Sequence, residues 1–344
     1  MPHLASVLRS LPALLLSVAA ACTDEPPEGP PEAPPGVETV IALGGPSELV
    51  AYTAATREVE IRDGDGTLVA AYEGDYTSII ARPDGSALID RAPDQPSRAL
   101  VLDRDGRLVR RIDSVRPARY LAAGDGYLAV TADGAGFQAR RLDRNFGVVA
   151  GAPVATPTDT LLAARDDDMI VAHDDGDRVR ISRHDRAGAL VGEASVAADH
   201  AEALVAGGDG YLVIYARDGH RFAQVLRDGA WVGGGAALGV AIGPLATATA
   251  VYGYAVAKVE GGGLVTVLTL DRDGASNSDL MVALRPDLGA LLSLSMVRVR
   301  DGHLIAATHD VLDARTGGHE VTIRAVTVER DGAGPVRELA RSRW

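Results

Sequence analysis

Cysteine, lysine and aromatic residues are scarce in this sequence. The scarcity of cysteine excludes several classes of site. The 344 residues contain one cysteine, Cys22, and one lysine, Lys258, and only 4% of them are aromatic. A lone cysteine excludes an internal disulfide framework, a zinc site made of thiolates and an iron–sulfur cluster. The net charge of −13 disfavours nucleic acids and anionic membrane surfaces as partners. We therefore expect no nucleic-acid partner, no metal and no cofactor.

Linear motifs of several enzyme classes are also absent. The sequence has no H-E-x-x-H motif, no G-x-S-x-G motif and no consecutive D-x-D-x-D-G loop. These motifs are typical of zinc hydrolases, serine hydrolases and calcium sites. The histidines after residue 36 are therefore expected at the surface or in turns, and the acidic run 166–168 in a solvated loop. Those histidines are His173, His184, His200, His220, His303, His309 and His319.

Residues 1–21 have the pattern of a bacterial secretion signal. The apolar run Leu11–Ala20 is about ten residues long, too short for a membrane-spanning helix. Ala19, Ala20 and Ala21 lead directly into Cys22. This arrangement resembles the lipobox of bacterial lipoproteins, whose cysteine is acylated and becomes the new N-terminus, although leucine is usual at the place of Ala19. The resemblance implies lipidation of Cys22, and an ordinary signal peptide cleaved near Ala21 is the alternative.

Residues 22–36 are rich in proline and glutamate. Thr23–Gly36 reads TDEPPEGPPEAPPG, which has too few apolar residues for a core. Its prolines favour extended polyproline II conformation, so we expect a stiff tether. Thr23 stands where enterobacterial lipoproteins retained in the inner membrane carry aspartate. The resemblance therefore implies a location in the cell envelope, at the outer membrane or the cell surface. The periplasmic side of the outer membrane is the alternative location.

The remainder, residues 37–344, is a repeat. Turns of the type Leu-Asp-Arg-Asp-Gly recur at intervals of 40 to 58 residues. They end at Gly66, Gly106, Gly147, Gly188, Gly229, Gly274 and Gly332. A second series of turns lies between them, at Gly45, Gly85, Gly126, Asp167, Gly210, Gly253 and Gly302. Two series with nearly the same period indicate a repeat architecture.

Each repeat contains four short strands bounded by these turns. In the third repeat we predict strands over Arg119–Ala123, Tyr127–Ala132 and Phe137–Leu142, with a fourth beginning at Val148–Ala152. Asp-Gly turns between short strands are typical of antiparallel hairpins, because glycine accepts positive φ. Gly106, Gly126 and Gly274 are expected in such left-handed positions. Tyr127, Tyr211 and Tyr254 follow equivalent turns and are expected to pack inside the repeat.

Four-stranded units of about 40 residues are typical of β-propeller blades. The chain thus resembles bacterial β-propellers of the WD-repeat-like kind, in architecture and without the Gly-His and Trp-Asp signatures. We predict an all-β protein with a seven-bladed propeller of four-stranded antiparallel blades over residues 37–344. Val37–Leu43 begins the first blade and Val336–Arg341 ends the last. No terminal strand is left over, so we predict closure by side-chain packing without a shared strand.

The aspartates of the turns offer two interpretations. Asp103, Asp105, Asp271 and Asp273 carry the hard oxygen ligands that calcium prefers. However, arginine alternates with them, and aspartate is also a common turn residue because it bonds its own backbone. Hairpin turn chemistry is the interpretation we adopt.

Two functions fit this organisation. The first is a lipid-anchored, monomeric propeller that acts as a non-enzymatic binding or scaffold module for a protein or envelope component and meets the membrane only through its lipid. The alternative is a periplasmic or surface hydrolase or lyase whose site is assembled from loops of several blades.

The longer connections suggest where binding occurs. The turns of both series are short, whereas Asn277–Leu291 and His309–His319 look like long loops at the opposite ends of their strands. Long loops carry binding sites more often than short scaffold turns do. The candidate binding residues are therefore His309, Asp310, Asp313, Arg315 and His319, and a tolerated surface insertion is the alternative. We assign no catalytic residue.

Overall fold

The computed structural model describes residues 40–343 apart from 54–57, 75, 83, 91–96, 135, 159, 166, 208, 251, 262–263, 285–289, 301, 313–316 and 330–331. Strands and their connections make up this part of the chain, without a helix. Within it there is accordingly no helix with the length and apolar character needed to cross a membrane. The signal, lipidation and tether predictions concern residues 1–36 and lie outside the described residues.

The first half of the described chain forms two four-stranded sheets and one eight-stranded sheet. Sheet 1 consists of β1 (Val40–Gly44), β2 (Leu49–Thr53), β3 (Glu58–Arg62) and β4 (Leu68–Glu73). Sheet 2 consists of β5 (Tyr76–Arg82), β6 (Gly85–Asp90), β7 (Ser97–Leu102) and β8 (Leu108–Val115). Sheet 3 consists of β9 (Arg119–Ala123), β10 (Gly126–Asp133), β11 (Gly136–Leu142), β12 (Val154–Thr156), β13 (Leu161–Ala164), β14 (Asp168–Asp175), β15 (Arg178–Asp185) and β16 (Leu190–Ala197).

The second half forms three further sheets. Sheet 4 consists of β17 (His200–Ala206), β18 (Tyr211–Arg217), β19 (His220–Arg227) and β20 (Ala230–Val240). Sheet 5 consists of β21 (Leu245–Ala250), β22 (Gly253–Gly261), β23 (Leu264–Asp271) and β24 (Ser276–Ala283). Sheet 6 consists of β25 (Ala290–Arg298), β26 (Gly302–Leu312), β27 (His319–Glu329), β28 (Gly332–Ala333) and β29 (Arg337–Arg343). Both β28 and β29 pair with β27.

Strands that pair within each four-stranded unit are antiparallel, as the turn pattern predicts. The eight strands of sheet 3 form two antiparallel halves, β9–β12 and β13–β16, which are joined by a single parallel residue pair, Ala123 with Ala164. We call the end of each sheet that carries the Asp-Gly turns the turn end. The opposite end, where the second strand passes to the third, is the hairpin end.

The core lies between consecutive sheets. One cluster joins sheets 1 and 2 through residues such as Ile61 and Leu100, and another joins sheets 5 and 6 through residues such as Val265 and Ile305. Tyr127, Tyr211 and Tyr254 are buried within these layers, which confirms that they pack inside the repeat. Burial of apolar side chains on facing sheets is the main favourable contribution to such a fold.

The first and last sheets meet by side-chain packing. Val40 and Val50 of sheet 1 share a buried cluster with Ile323 of sheet 6. The backbone N–H of Ala42 also donates to Ser295 Oγ at 3.0 Å. Among the described residues no backbone pairing links the two sheets. In this part of the chain the two sheets thus meet through side chains.

The turn aspartates bond their own backbone. Asp103 Oδ1 accepts the backbone N–H groups of Asp105 and Arg107, each at 2.9 Å. Asp271 repeats this arrangement with Asp273 and Ala275. These bonds confirm the hairpin interpretation, because they use the carboxylate to stabilise the turn. Nowhere in the described part of the chain do three or more His, Cys, Asp or Glu side chains cluster as a metal site would require.

Two of the three predicted left-handed glycines are confirmed. Gly106 has φ +75° and Gly274 has φ +83°. The prediction is wrong for Gly126, because the left-handed residue of that turn is Gly124, with φ +58°. Gly126 is needed for another reason. A Cβ atom at this position would collide with the carbonyl oxygen of Leu142 on the paired strand.

The fourth strand of the third repeat departs from the pattern. It was expected from Val148 onward, yet β12 covers only Val154–Thr156. Val148 does form one isolated antiparallel bridge, with Leu142, as expected. The chain then leaves the sheet, and the backbone N–H of Ala152 donates to the carbonyl oxygen of Ala187 in the next hairpin at 2.8 Å. Backbone bonds to a neighbouring turn thus replace the missing ladder bonds.

Candidate functional site

Three of the five candidate residues, His309, Asp310 and His319, lie on the strands of a long hairpin. β26 extends to Leu312 and β27 begins at His319, so the two strands enclose a short connection. The prediction of a loop is therefore wrong for residues 309–312 and for His319, which lie on strands. The predicted loop Asn277–Leu291 is corrected as well, because β24 runs to Ala283. Both corrections have one cause. Polar residues continue the strand pairing, as in the pair of His309 with Thr322.

The hairpin brings two of the five candidate residues together. His319 Nδ1 lies 2.9 Å from Asp310 Oδ2 and 3.0 Å from Oδ1, and both side chains are partly exposed. His309 is fully buried at the end of a run of seven buried residues, 303–309, whereas its neighbour Asp310 is partly exposed. Asp313 and Arg315 lie outside the described residues. The hairpin end thus presents a histidine–carboxylate pair near solvent.

Two histidines were expected near solvent and are not there. His309 is buried in β26, and His303, at the other end of the same strand, is buried as well. Both lie in the part of β26, residues 303–309, in which every residue is buried. The expectation from sequence fails here because a neutral imidazole is small enough to replace an apolar side chain in a core.

Large apolar side chains are also exposed at the hairpin ends of this and other sheets. They belong to the hairpin ends of three consecutive sheets, sheets 4, 5 and 6, or to the connection that leaves sheet 4 there. They are Val240, Ile242, Leu264, Met281, Leu292 and Leu312. We call these six residues the hairpin-end surface. No sequence periodicity marks them, because they occupy different positions in their repeats.

A second set of exposed aliphatic residues follows the repeat. Its members begin the fourth strands of sheets 1 and 2 and of the β13–β16 half, at the turn end. They are Leu68, Val69, Leu108, Val109, Leu190 and Val191. Because these residues occupy equivalent positions after equivalent turns, the repeat itself accounts for them. The hairpin-end surface has no such explanation.

A buried charge network was missed by the sequence analysis. Asp168 was expected in a solvated loop, but it begins β14 and is almost completely buried. Its carboxylate accepts hydrogen bonds from Arg165 Nε at 2.9 Å, Arg183 Nε at 2.6 Å and the hydroxyl of Tyr211 at 2.6 Å. The Arg165 guanidinium also lies over the Tyr211 ring, 5.1 Å from its centroid. The network joins the β13–β16 half of sheet 3 to sheet 4.

The electrostatics of this network indicate a structural role. Burial alone would raise the pKa of Asp168, but hydrogen bonds from Arg165, Tyr211 and Arg183 outweigh burial and hold that pKa below its usual value. Burial and the neighbouring carboxylate raise the pKa of Tyr211. Asp168 therefore stays ionised, with its acceptors occupied by protein donors, and a ligand would have to displace them.

Comparison with known proteins identifies the fold. No protein-family model and no curated protein matches the sequence. The chain is similar to the β-propeller domain of the Trilobed protease from Pyrococcus furiosus (TM-score 0.54, 12% identity, covering 89% of this chain and 97% of that one). It is also similar to an uncharacterised protein of Listeria monocytogenes EGD-e (TM-score 0.52, 12% identity, 81% and 92% covered).

A third similar structure is TolB from Acinetobacter baumannii (TM-score 0.43, 13% identity, 71% and 63% covered). Together with the antiparallel four-stranded sheets, the likeness to the Pyrococcus domain shows a propeller-like fold. At 12% identity the likeness extends to the fold alone, because one fold serves many functions.

Proposed function

We propose that the chain is a lipid-anchored β-propeller of seven blades that binds a protein partner of the cell envelope without catalysing a reaction. Sheets 1, 2, 4, 5 and 6 provide five blades, and the two halves of sheet 3 provide two more. The single residue pair that joins those halves is a contact between blades in this interpretation. The Pyrococcus propeller has an open velcro topology, and we propose the same kind of closure for this chain.

The observation that carries the binding role is the hairpin-end surface. Single exposed apolar residues are normal on protein surfaces, but groups of them mark interaction sites. Six such residues belong to one end of three consecutive sheets, beside the pair of Asp310 with His319. Burying them in an interface would remove their unfavourable contact with water.

The charge of the chain indicates the chemistry of the partner. The net charge is −13, and Asp310 borders the hairpin-end surface. Interfaces combine an apolar centre with a polar rim of complementary charge, which steers association. The partner we propose therefore presents apolar side chains surrounded by arginine or lysine. A scaffold role at the outer membrane follows if the lipid anchor holds the propeller there.

Site-specific photo-crosslinking in intact cells tests this function. A photoreactive amino acid replaces Leu312 in one variant, and Val109 in a matched control variant. The two side chains are similarly exposed, at 60% and 66%, but lie at opposite ends of their sheets. We expect a discrete protein adduct from position 312 and none from position 109. No adduct at 312, or the same adducts from both positions, would overturn the proposal.

A hydrolase is the second candidate, and one observation favours it. A carboxylate beside a histidine ring nitrogen can orient the ring as a general base. If the pair of Asp310 with His319 has this role, the purified protein hydrolyses simple ester substrates and His319→Ala abolishes that activity. Hydrolysis that persists in the variant, or is absent in the wild type, removes this candidate.

A further inference from the structure

A groove lies between the outer parts of sheets 1 and 2. It encloses about 470 Å³, within the range of small-molecule sites. Apolar and aromatic side chains share it with two guanidinium groups. The residues that matter here are Tyr72, Tyr76, Arg98, Leu100, Leu108 and Arg111. None of them belongs to the hairpin-end surface.

Strand geometry directs these side chains into the groove. The hydroxyl of Tyr72 donates to the carbonyl oxygen of Gly106 at 2.9 Å, so Tyr72 on β4 faces sheet 2. On β8, Arg111 is paired with Leu100, whose side chain is buried between the two sheets. Paired residues lie on the same face of a sheet, so Arg111 faces the groove as well.

The neighbouring Arg110 faces the other way. Successive side chains of a strand point to opposite faces, and Arg110 Nη1 donates to Asn145 Oδ1 of sheet 3 at 2.6 Å. Glu73, the exposed last residue of β4, also borders the groove. The carbonyl oxygen of Glu73 accepts the hydroxyl of Tyr76 at 3.3 Å.

The two groove arginines differ in their charge partners. Arg98 donates from Nε to Asp90 Oδ2 at 3.0 Å, and Asp90 is buried, so this guanidinium is neutralised within sheet 2. The hydrogen bond and the charge of Asp90 raise the pKa of Arg98, and the charge of Asp113 makes a smaller contribution in the same direction. Arg111 forms no ion pair with any described residue. It is therefore the cation that the groove offers to a ligand.

We propose that this groove binds a carboxylate carried on an apolar body. The planar guanidinium of Arg111 matches a carboxylate with two parallel hydrogen bonds. Leu100 and Leu108 provide the apolar contact, and the rings of Tyr72 and Tyr76 flank it. The ligand can be a free acid or the C-terminal carboxylate of a polypeptide, since both carry the same group.

Calorimetric titration with three probes tests the proposal. The probes are 4-phenylbutyrate, its uncharged amide, and N-acetyl-alanyl-phenylalanine as a peptide carboxylate. A charge-assisted hydrogen bond contributes enough for about a tenfold difference in affinity, so we expect the amide to bind about tenfold more weakly than the acid. Arg111→Gln should remove this difference, and the matched control Arg110→Gln, on the opposite face of β8, should retain it.

The outcomes distinguish a free acid from a polypeptide terminus as the source of the carboxylate. Binding of the free acid indicates a small ligand, whereas binding of the peptide carboxylate alone indicates a polypeptide terminus. Equal affinities for acid and amide, an unchanged affinity in Arg111→Gln, or no binding of either carboxylate would overturn the proposal. Because Arg111 is exposed, its variant should melt like the wild type. Crosslinking at Leu312 is a separate measurement, so failure here leaves the protein-binding function to its own test.

Discussion

His303 Nε2 lies 3.3 Å from the backbone carbonyl oxygen of Thr249, across the contact between sheets 6 and 5. His303 directly follows the glycine that begins a second strand, as Tyr127 and Tyr211 do in their repeats. A histidine thus fills a buried tyrosine position. Burial lowers the pKa of His303, the bond to Thr249 opposes this effect, and the charge of Arg298 lowers the pKa further.

This relationship predicts acid sensitivity. Because the folded-state pKa of His303 lies below the ordinary value of 6.5, the unfolded chain takes up the proton first as the pH falls. The contribution of neutral His303 to stability is complete above pH 6.5 and is lost as the pH drops below it. We expect the urea midpoint of unfolding to be lower at about pH 5.5 than at about pH 8, and His303→Gln to reduce this difference.

The control for that experiment is a histidine outside the core. His220 is exposed at the start of β19, and His220→Gln should leave the pH dependence as it is in the wild type. If the two variants respond to pH alike, the acid sensitivity does not come from His303. Comparing midpoints within each variant also cancels any change in stability that glutamine causes at every pH.

Substitution of Asp168 should reduce the free energy of unfolding. Asp168→Asn would replace a buried carboxylate by a neutral amide beside the partly buried guanidinium groups of Arg165 and Arg183, and removal of one partner of a buried ion pair costs about 3 kcal/mol. The exposed pair of Asp175 with Arg180 is the control, because exposed ion pairs contribute less than about 1 kcal/mol. Denaturant unfolding of Asp168→Asn and Asp175→Asn measures both. Similar losses in the two variants would show that the network does not stabilise the contact between sheets.

The sequence predicted the repeated elements and missed the long-range ones. The strand Arg119–Ala123 was predicted with its observed bounds, because Asp-Gly turns are local signals that depend on a few neighbouring residues. Asp168 was missed because one of its partners, Tyr211, is 43 residues away in the chain. Polar composition around Asp168 suggested solvent, and only the packing of two sheets shows the buried ion pairs.

The structure of the candidate segment was not predicted, for a similar reason. The sequence singled out the connection in the last repeat by its length and predicted a long loop there. It did not show that β26 continues through His309 and Asp310, since polar residues in a strand look like a loop. The pair of Asp310 with His319 depends on the strand register, which is set by pairing across the hairpin. The residues of the hairpin-end surface do not recur with the repeat, so the sequence could not predict this surface.

The repeated glycines allow two kinds of strain to be separated. Gly126→Ala should cost more than about 1 kcal/mol, because its Cβ would collide with the Leu142 carbonyl oxygen and the backbone must shift. Gly176 has φ +68° with nothing near its Cβ position, so Gly176→Ala should cost about 1 kcal/mol from positive φ alone. Thermal or denaturant unfolding measures the loss of stability in each of the two variants. A smaller loss for Gly126→Ala would contradict the close approach of the two strands.

The proposed lipid anchor depends on Cys22, so removing the thiol of this residue tests it. Several acyl chains, at about 0.8 kcal/mol per buried methylene, would hold the protein firmly on a membrane. We expect Cys22→Ser to move the protein from the membrane fraction to the soluble fraction and to abolish labelling by a radioactive fatty acid. Ala33→Ser, in the proline-rich segment, is the matched control and should keep both lipid and membrane association. Because cleavage near Ala21 without lipidation is the alternative, an unlabelled wild-type protein that fractionates like Cys22→Ser would establish that alternative instead.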